Sequence, residues 1–228
     1  MRGRQTIVAL LFICGALLCG TVALYSSIRA ANRVRGLSPV TVAALQHARP
    51  GEEVLVEGRV SDRNPVLSEP TGFVAYVREW REVTYNGEGR PDPGSWSVGE
   101  RFTPPLLVEL PDGLLQIGNN DYSIEDGHVF DEREPGESVD EFDTRLKGIR
   151  SGDTVTGVGI VSPGAEPPQI KADLVALGTR ASYVARRRSG GVIFCAFSIV
   201  VAALGGAIMF YDRAGRLLSR WRSPRWRD

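Results

Sequence analysis

The side chains that this 228-residue chain lacks limit the chemistry it can perform. It has two histidines, His47 and His128, and three cysteines, Cys14, Cys19 and Cys195. All three cysteines lie within long apolar stretches, so the remaining sequence offers no disulfide, no thiol nucleophile and no zinc site built on thiolates. Two histidines are also too few for a histidine-rich metal site. We therefore expect neither a metal nor another cofactor.

A hydrolase would need a nucleophile and a base, and the nearest grouping of such residues is Ser123, Asp126 and His128. Catalytic triads are assembled from distant parts of a chain, whereas these three residues share one short acidic segment. The sequence also has no glycine-rich loop between a strand and a helix that would hold phosphate. These observations predict a protein that is not an enzyme.

Two uncharged apolar stretches, residues 7–25 and 190–211, have the length of membrane spans. A hydrocarbon layer of about 30 Å is crossed by about 20 helical residues, because in lipid the backbone must satisfy its own hydrogen bonds. We interpret the stretches as transmembrane helices. The first is also compatible with a removed signal peptide, since Arg2 and Arg4 precede it, although no small-residue cleavage site follows it directly.

Charge is segregated along the chain although the 27 basic and 27 acidic residues cancel. Residues 36–179 hold 25 acidic and 12 basic residues, a balance of −13, whereas the flanking segments hold 15 arginines. Eight of these arginines lie towards the chain ends and seven lie beside a connection too long for loop charge to control topology. We predict a two-span protein of the cell membrane, with both termini cytoplasmic and the central domain extracytoplasmic.

The central region is predicted to be mainly β. A Pro-Asp-Gly turn at 111–113 favours a hairpin, and residues 37–47 predict one or two helical turns capped by Ser38. The fold class is therefore a small OB-like barrel or a sandwich of about six strands, inserted between two transmembrane helices. Alternating or β-branched apolar residues place these strands at 53–60, 73–85, 106–110, 114–117, 153–161 and 169–178.

The second predicted strand carries the candidate ligand groove, which consists of Tyr76 and Trp80. Alternation places Val74 on the same side as these two aromatic residues. Nucleic acid is not an expected partner, because a region with a charge of −13 repels phosphate. The expected ligand is a peptide segment of another membrane or envelope protein, added as a strand to an open sheet edge.

Residues 121–143 contain ten acidic residues and one arginine. Such a segment resists burial, so it predicts a solvated loop. Calcium binding is a weaker alternative, because the segment lacks the spacing of carboxylates found in calcium-binding loops.

The C-terminal tail, residues 212–228, combines six arginines with two tryptophans. Arginine is attracted to anionic headgroups, and indole rings favour the boundary between lipid and water. A plain topology signal would explain the arginines but not the tryptophans. The predicted residues at the membrane interface are Arg216, Arg220, Trp221, Arg222, Arg225, Trp226 and Arg227.

Small residues recur four positions apart in both apolar stretches, at Ala16 and Gly20 and at Ala202 and Gly206. This spacing lets helix backbones approach closely. It predicts packing between the two helices, or a homo-oligomer formed through them.

The order of apolar span, β-rich domain, second span and basic tail resembles that of GIDE domain proteins, whose domain lies beside a membrane. The stretches that carry the resemblance are VLVEGRV at 54–60, SEPTGFVAYVREW at 68–80 and TGVGIV at 156–161. The family includes mitochondrial E3 ubiquitin ligases, in which a RING finger follows the second span. The tail at 212–228 has neither Cys nor His. The resemblance therefore implies a scaffold or binding module, or a divergent member of a ligase-like modification system without its RING.

We expect the central domain to bind another membrane or envelope component as a non-catalytic module, because two anchors would raise its effective concentration near membrane neighbours. The predicted organisation comprises a cytoplasmic N-terminus (1–5), the first transmembrane helix (6–28), a linker with a short helix (29–50), the β-rich domain (51–181), a basic linker (182–189), the second transmembrane helix (190–211) and a basic cytoplasmic tail (212–228).

Overall fold

The computed structural model describes residues 2–88, 90–132, 142–164 and 166–221. In chain order the elements are α1 (Arg2–Gly36), α2 (Val42–His47), β1 (Glu53–Val60), β2 (Phe73–Tyr85), β3 (Pro91–Pro93), β4 (Ser97–Phe102), β5 (Leu106–Leu110), β6 (Gly113–Ile117), β7 (Ser123–Glu125), β8 (His128–Asp131), β9 (Phe142–Arg150), β10 (Thr154–Ser162), β11 (Gln169–Leu177) and α3 (Arg180–Trp221).

These elements form two compact units. The β unit is Val34–Tyr183, and the helical unit contains α1 up to Arg33 and α3 from Val184. Each long helix includes a segment long and apolar enough to cross a membrane, Ile13–Gly36 in α1 and Arg180–Ala207 in α3.

Five strands of the β unit close into a barrel. The order around the barrel is β1, β5, β6, β11, β10 and back to β1. Neighbouring strands are antiparallel except β6 and β11, which are parallel. A Cβ atom at Gly159 would overlap the carbonyl oxygen of Lys171, so glycine is needed where β10 and β11 approach each other at a register shift. Closure satisfies the backbone hydrogen bonds that an open edge would expose.

A second sheet is built around the long strand β2. Along one edge β2 pairs with β9, which in turn pairs with β8. Along its other edge, β2 pairs first with β4 and, further along the strand, with β3. The remaining strand, β7, lies parallel to β11 of the barrel.

The barrel and the base of the second sheet share one hydrophobic core. Val56, Leu106 and Val108 from the barrel strands pack with Ala75 and Ile149 from β2 and β9. All five side chains are buried. Since burial of apolar surface is the main favourable term in folding, this shared core fixes the second sheet on the barrel.

The six predicted strands are confirmed as β1, β2, β5, β6, β10 and β11, and the turn at 111–113 joins β5 to β6 as expected. The structure adds β3, β4, β7, β8 and β9, so the described residues hold more strands than the sequence predicts.

The predicted start of the short helix is wrong. α2 begins at Val42, and its N-cap is Thr41 rather than Ser38. The Thr41 hydroxyl accepts a hydrogen bond from the Ala44 N–H at 3.2 Å. Pro39 instead forms an isolated bridge with Leu55 of β1.

The predicted position of Val74 is also wrong. The register of β2 against β9 shifts between Phe73 and Ala75. Because of this irregularity, the Val74 side chain points into the main core, whereas Tyr76 packs with Phe73 in a separate cluster.

The prediction of a solvated loop at 121–143 is wrong for its first half. Tyr122 and Ile124 are buried. Strand β7 pairs with β11 of the barrel, and β8 pairs with β9 of the second sheet. The Tyr122 hydroxyl donates to the carbonyl oxygen of Pro104 at 2.9 Å, and burial raises the pKa of this phenol. Residues 133–141 lie outside the described residues.

Asp112, in the turn between β5 and β6, predicts an acid dependence of stability. Its carboxylate accepts hydrogen bonds from the N–H groups of Ala43 and Val42 at 3.0 Å each, which lowers its pKa below the ordinary value of 3.8. A lowered folded-state pKa stabilises the protein above the unfolded-state pKa, and this contribution is lost as the pH falls through the folded value. We expect Asp112→Asn to lower the Tm of the full-length protein in detergent by a few degrees at pH 7.

The difference in Tm between Asp112→Asn and wild type should shrink below pH 3.8, because the protonated carboxyl then resembles the amide. Asp92→Asn, at an exposed position of β3, is the control and should not change Tm at either pH. A difference of equal size at pH 7 and pH 3 would contradict the role assigned to the carboxylate.

Candidate functional site

The two faces of the second sheet have different surroundings. Side chains alternate along β2, so Ala75 and Val77 point to the main core while Tyr76, Arg78 and Trp80 point to the opposite face. Residues directly opposite each other in paired strands share a face. The register therefore assigns further residues to the face of Tyr76.

This aromatic face contains five large rings from four strands. Phe102 of β4 lies opposite Tyr76, and their rings stack with centroids 4.7 Å apart. Phe142 of β9 meets Trp80 edge to face at 5.6 Å. Phe130 of β8 lies opposite Leu146 on the same face. We define the aromatic face as Tyr76, Trp80, Phe102, Phe130 and Phe142.

Most of the aromatic face is open to solvent. Tyr76 is 8% exposed, but Trp80, Phe102, Phe130 and Phe142 are between 37% and 52% exposed. Large aromatic residues are normally buried or held in interfaces, so a group of exposed rings on one face marks a surface suited to binding.

Arg78 adds charge to the aromatic face. Its guanidinium contacts Glu100 and Glu132, each at 3.2 Å. These pairs are partly exposed, and such pairs contribute little to stability. They add charged groups to a face that is rich in aromatic rings.

The opposite face of the same strands carries ion pairs and a tryptophan ring. Arg81 pairs with Asp143 and Arg145 pairs with Glu79, both at 2.7 Å. The ring of Trp96 lies against both guanidinium groups, at 4.4 and 3.9 Å from the ring centroid. The cations and the ring satisfy each other. This face also has exposed apolar side chains, namely Tyr85, Val98 and Val129.

The structure does not assemble the triad of Ser123, Asp126 and His128. His128 Nε2 lies 3.1 Å from a carboxylate oxygen of Asp153 at the start of the next barrel strand. That carboxylate also accepts a hydrogen bond from the Arg150 N–H at 2.7 Å, so it organises the turn between β9 and β10. Within the described ranges, no group of three or more His, Cys, Asp or Glu side chains is arranged to hold a metal ion.

No family model, curated protein or solved structure matches this chain. Its function must therefore follow from the chemistry of its own surfaces. The GIDE relationship stays a prediction.

The two long helices pack against each other through small residues. A Cβ atom at Gly20 of α1 would lie 2.7 Å from the Cβ atom of Ser198 in α3. A Cβ atom at Gly191 of α3 would lie 2.8 Å from that of Ser27 in α1. The Arg188 guanidinium donates to the Asn32 side chain at 3.2 Å. These contacts show that α1 and α3 run antiparallel, and we call them the helix pair.

The four residues predicted to pack the helices occupy different environments. Gly20 and Ala202 are buried, and Ala16 is half-buried. A Cβ atom at Gly206 would meet nothing within 4 Å. Gly191 cannot be singled out from sequence, because its neighbours Ser27 and Leu24 become apparent only from the helix register.

Large apolar side chains of the helix pair point outwards. Examples are Leu11 at 67%, Ile193 at 68% and Phe197 at 65% exposure. Few residues of the apolar segments of α1 and α3 are buried, 6% in α1 and 17% in α3. Small residues thus lie inside and large apolar residues outside, which is the reverse of a helix pair in water.

The predicted interface residues of the tail fall partly within α3. The backbone at Arg216, Arg220 and Trp221 is helical, as this helix extends to Trp221. The other four, Arg222, Arg225, Trp226 and Arg227, lie outside the described residues.

The close approach of the helices predicts that bulky substitutions at Gly20 and Gly191 separate them. We expect Gly20→Leu or Gly191→Leu to lower the free energy of unfolding in an SDS titration by about 1–3 kcal/mol, the usual cost of overpacking. Gly15→Leu and Gly190→Leu are matched controls, because a Cβ atom at either position meets nothing within 4 Å. Equal effects at contact and control positions would exclude these contacts as the basis of helix pairing.

Proposed function

We propose that this protein is a two-span membrane protein whose β unit is a non-catalytic binding module for a segment of another membrane or envelope protein. The outward apolar surface of the helix pair supports the membrane anchor, since lipid rather than water solvates such a surface favourably. The aromatic face supports the binding role and is the observation that carries it.

The barrel is proposed to be OB-like. Counting barrel strands alone along the chain, the order around it is 1-2-3-5-4, with the third and fifth strands parallel. OB-type barrels bind ligands at a face near their second and third strands and at neighbouring loops. Here the connection between the first two barrel strands contains β2, β3 and β4, which supply much of the aromatic face.

The proposed ligand is an extended protein segment. β4 pairs with β2 along one edge, and all six of its residues are exposed. A segment pairing with the other edge of β4 would gain backbone hydrogen bonds, and its alternate side chains would reach the aromatic face. The charge of −13 over residues 36–179 opposes nucleic acid as the ligand.

Because two helices would anchor the β unit to the membrane, even a weak contact would be sufficient for binding a membrane partner. Confinement to a membrane raises the effective concentration of the module towards partners in the same membrane. No observation on the described residues favours the alternative of a scaffold in a ubiquitin ligase-like system, and the tail has no zinc ligands for a RING.

The proposed topology has both termini cytoplasmic and the β unit extracytoplasmic. We expect a single cysteine at Glu88, an exposed position of the β unit, to react with an impermeant maleimide added to intact cells. A single cysteine at Arg225 should react only after lysis. The native cysteines are replaced by serine in both variants, and alkaline carbonate should leave both proteins in the membrane pellet. Release by carbonate would contradict the anchor, and the reverse labelling pattern would contradict the topology alone.

The aromatic face predicts which surface captures the partner. We expect Trp80→Ser/Phe142→Ser in the full-length protein to reduce cross-linking to its membrane partner by about tenfold or more, as loss of central aromatic contacts does in protein interfaces. Tyr85→Ser is the matched control, because Tyr85 is 52% exposed, like Phe142, but belongs to the opposite face of β2.

The measurement is quantitative mass spectrometry of cross-linked proteins in native membranes, with Tm recorded for each variant to establish folding. Partners whose recovery falls with the double variant and not with Tyr85→Ser support the proposal. Equal recovery with both variants at unchanged Tm would reject the aromatic face as the binding surface.

A further inference from the structure

The outer end of the aromatic face combines an indole ring with carboxylates. Glu82 is two positions from Trp80 in β2, so their Cα atoms lie about 7 Å apart on the same face. Asp92 of β3 lies opposite Thr84, the next residue of β2 on this face, and Phe142 lies opposite Glu82. Both acidic residues are exposed, and Trp80 is 40% exposed. We define the acidic end as Trp80, Glu82, Asp92 and Phe142.

The arginines of the aromatic face lie nearer the base of the second sheet. Arg78 contacts Glu100 and Glu132 at 3.2 Å each. Arg150 lies over the ring of Phe73, with its guanidinium carbon 5.4 Å from the ring centroid. Among the described residues, the strand register places no other arginine or lysine on this face. The acidic end therefore offers an exposed ring and two carboxylates, without a cation from these strands.

The opposite face of the same sheet shows how an indole ring and carboxylates hold a cation. Arg81 and Arg145 lie over the ring of Trp96, at 4.4 and 3.9 Å from its centroid. Each guanidinium also pairs with a carboxylate at 2.7 Å, Arg81 with Asp143 and Arg145 with Glu79. The electron-rich face of the ring attracts the cation, and the carboxylate neutralises its charge. This protein thus already binds guanidinium groups with the same two kinds of side chain.

We infer that the acidic end binds a basic side chain of the partner, so the segment bound by the aromatic face is cationic as well as extended. A guanidinium stacks on an exposed indole ring, and the apolar stem of arginine or lysine covers neighbouring rings while its charged head stays in water. Glu82 and Asp92 would pair with that head. The inference rests on the proposed function and specifies the chemistry of the bound segment.

Strand addition at β4 would bring basic residues to the acidic end. Ser97, the first residue of β4, lies opposite Trp80, and Phe102, the last, lies opposite Tyr76. A partner residue paired with Ser97 would share the face of Trp80, about 10 Å away across one strand, which a long side chain can bridge. The bound segment is therefore expected to carry a basic residue near Ser97 and large apolar residues at alternate positions towards Phe102.

The test measures binding of short labelled peptides to the full-length protein in dodecyl maltoside by fluorescence anisotropy. The peptides have the sequence Thr-X-Thr-Leu-Thr-Leu-Thr-X-Thr, in which X is arginine, glutamine or glutamate, so that either strand direction presents the same face. We expect the arginine peptide to bind about tenfold or more tightly than the glutamate peptide at low salt, with the glutamine peptide between them. Added salt should weaken binding of the arginine peptide and leave the glutamine peptide unchanged.

Two double variants separate the acidic end from the overall charge of the β unit. Glu82→Gln/Asp92→Asn should weaken binding of the arginine peptide by about threefold or more, with no change for the glutamine peptide. Glu69→Gln/Asp131→Asn removes two exposed carboxylates outside the aromatic face and should leave both affinities unchanged. Tm is recorded for each variant. An equal loss of affinity in both double variants would assign the preference to overall charge and overturn the inference.

The outcomes distinguish this inference from the proposed function on which it rests. Trp80→Ser/Phe142→Ser should weaken binding of the arginine and glutamine peptides alike. Equal affinities for all three peptides, lost in this variant, would contradict the cationic preference and keep the aromatic face as a binding surface. Absence of binding by the arginine peptide also contradicts the inference, whereas cross-linking in native membranes tests the binding module independently. Cross-linked segments without basic residues, or from a second copy of this chain alone, would likewise overturn it.

Discussion

The placement of large apolar side chains on the outside of the helix pair is the constraint on which the functional argument depends. In water, burial of apolar surface stabilises a structure by about 25 cal/mol per Å², so a pair of helices would turn its leucines and phenylalanines inwards. Here Gly20 and Gly191 occupy the contact, and residues such as Phe197 face outwards. In hydrocarbon, burial of those side chains would bring no such stabilisation, so close packing of the two helix backbones becomes the favourable arrangement.

The β unit closes its barrel but leaves part of its second sheet exposed. Closure of the barrel satisfies the edges of its strands, whereas the second sheet keeps an outer edge at β4 and a face with partly exposed rings. Its strands come from the two long connections of the barrel, one before β5 and one before β10. A rigid barrel that positions variable connections is a common way to build a binding surface.

Sequence patterns predicted the parts of this fold that are determined by residues close together in the chain. Strands with alternating apolar residues were located closely, because one buried face repeats every second residue. β4 has six exposed residues, so it lacks that signal; β8 is only four residues long, and β9 is rich in charged residues. The start of α2 at Val42 involves a distant residue, because the Asp112 carboxylate, about 70 residues away, accepts hydrogen bonds from the Val42 and Ala43 N–H groups. Tyr76 and Trp80 followed from alternation along one strand, but Phe102, Phe130 and Phe142 required the register between strands.

Charge is segregated along the chain although the net charge is zero. Residues 36–179 carry 25 acidic and 12 basic residues, whereas the segments on either side carry 15 arginines. In the proposed membrane arrangement, an anionic lipid surface would attract the arginines and repel the acidic region. Exposed aromatic rings partition into the interface between lipid and water, so this repulsion would leave the aromatic face available to the proposed protein ligand.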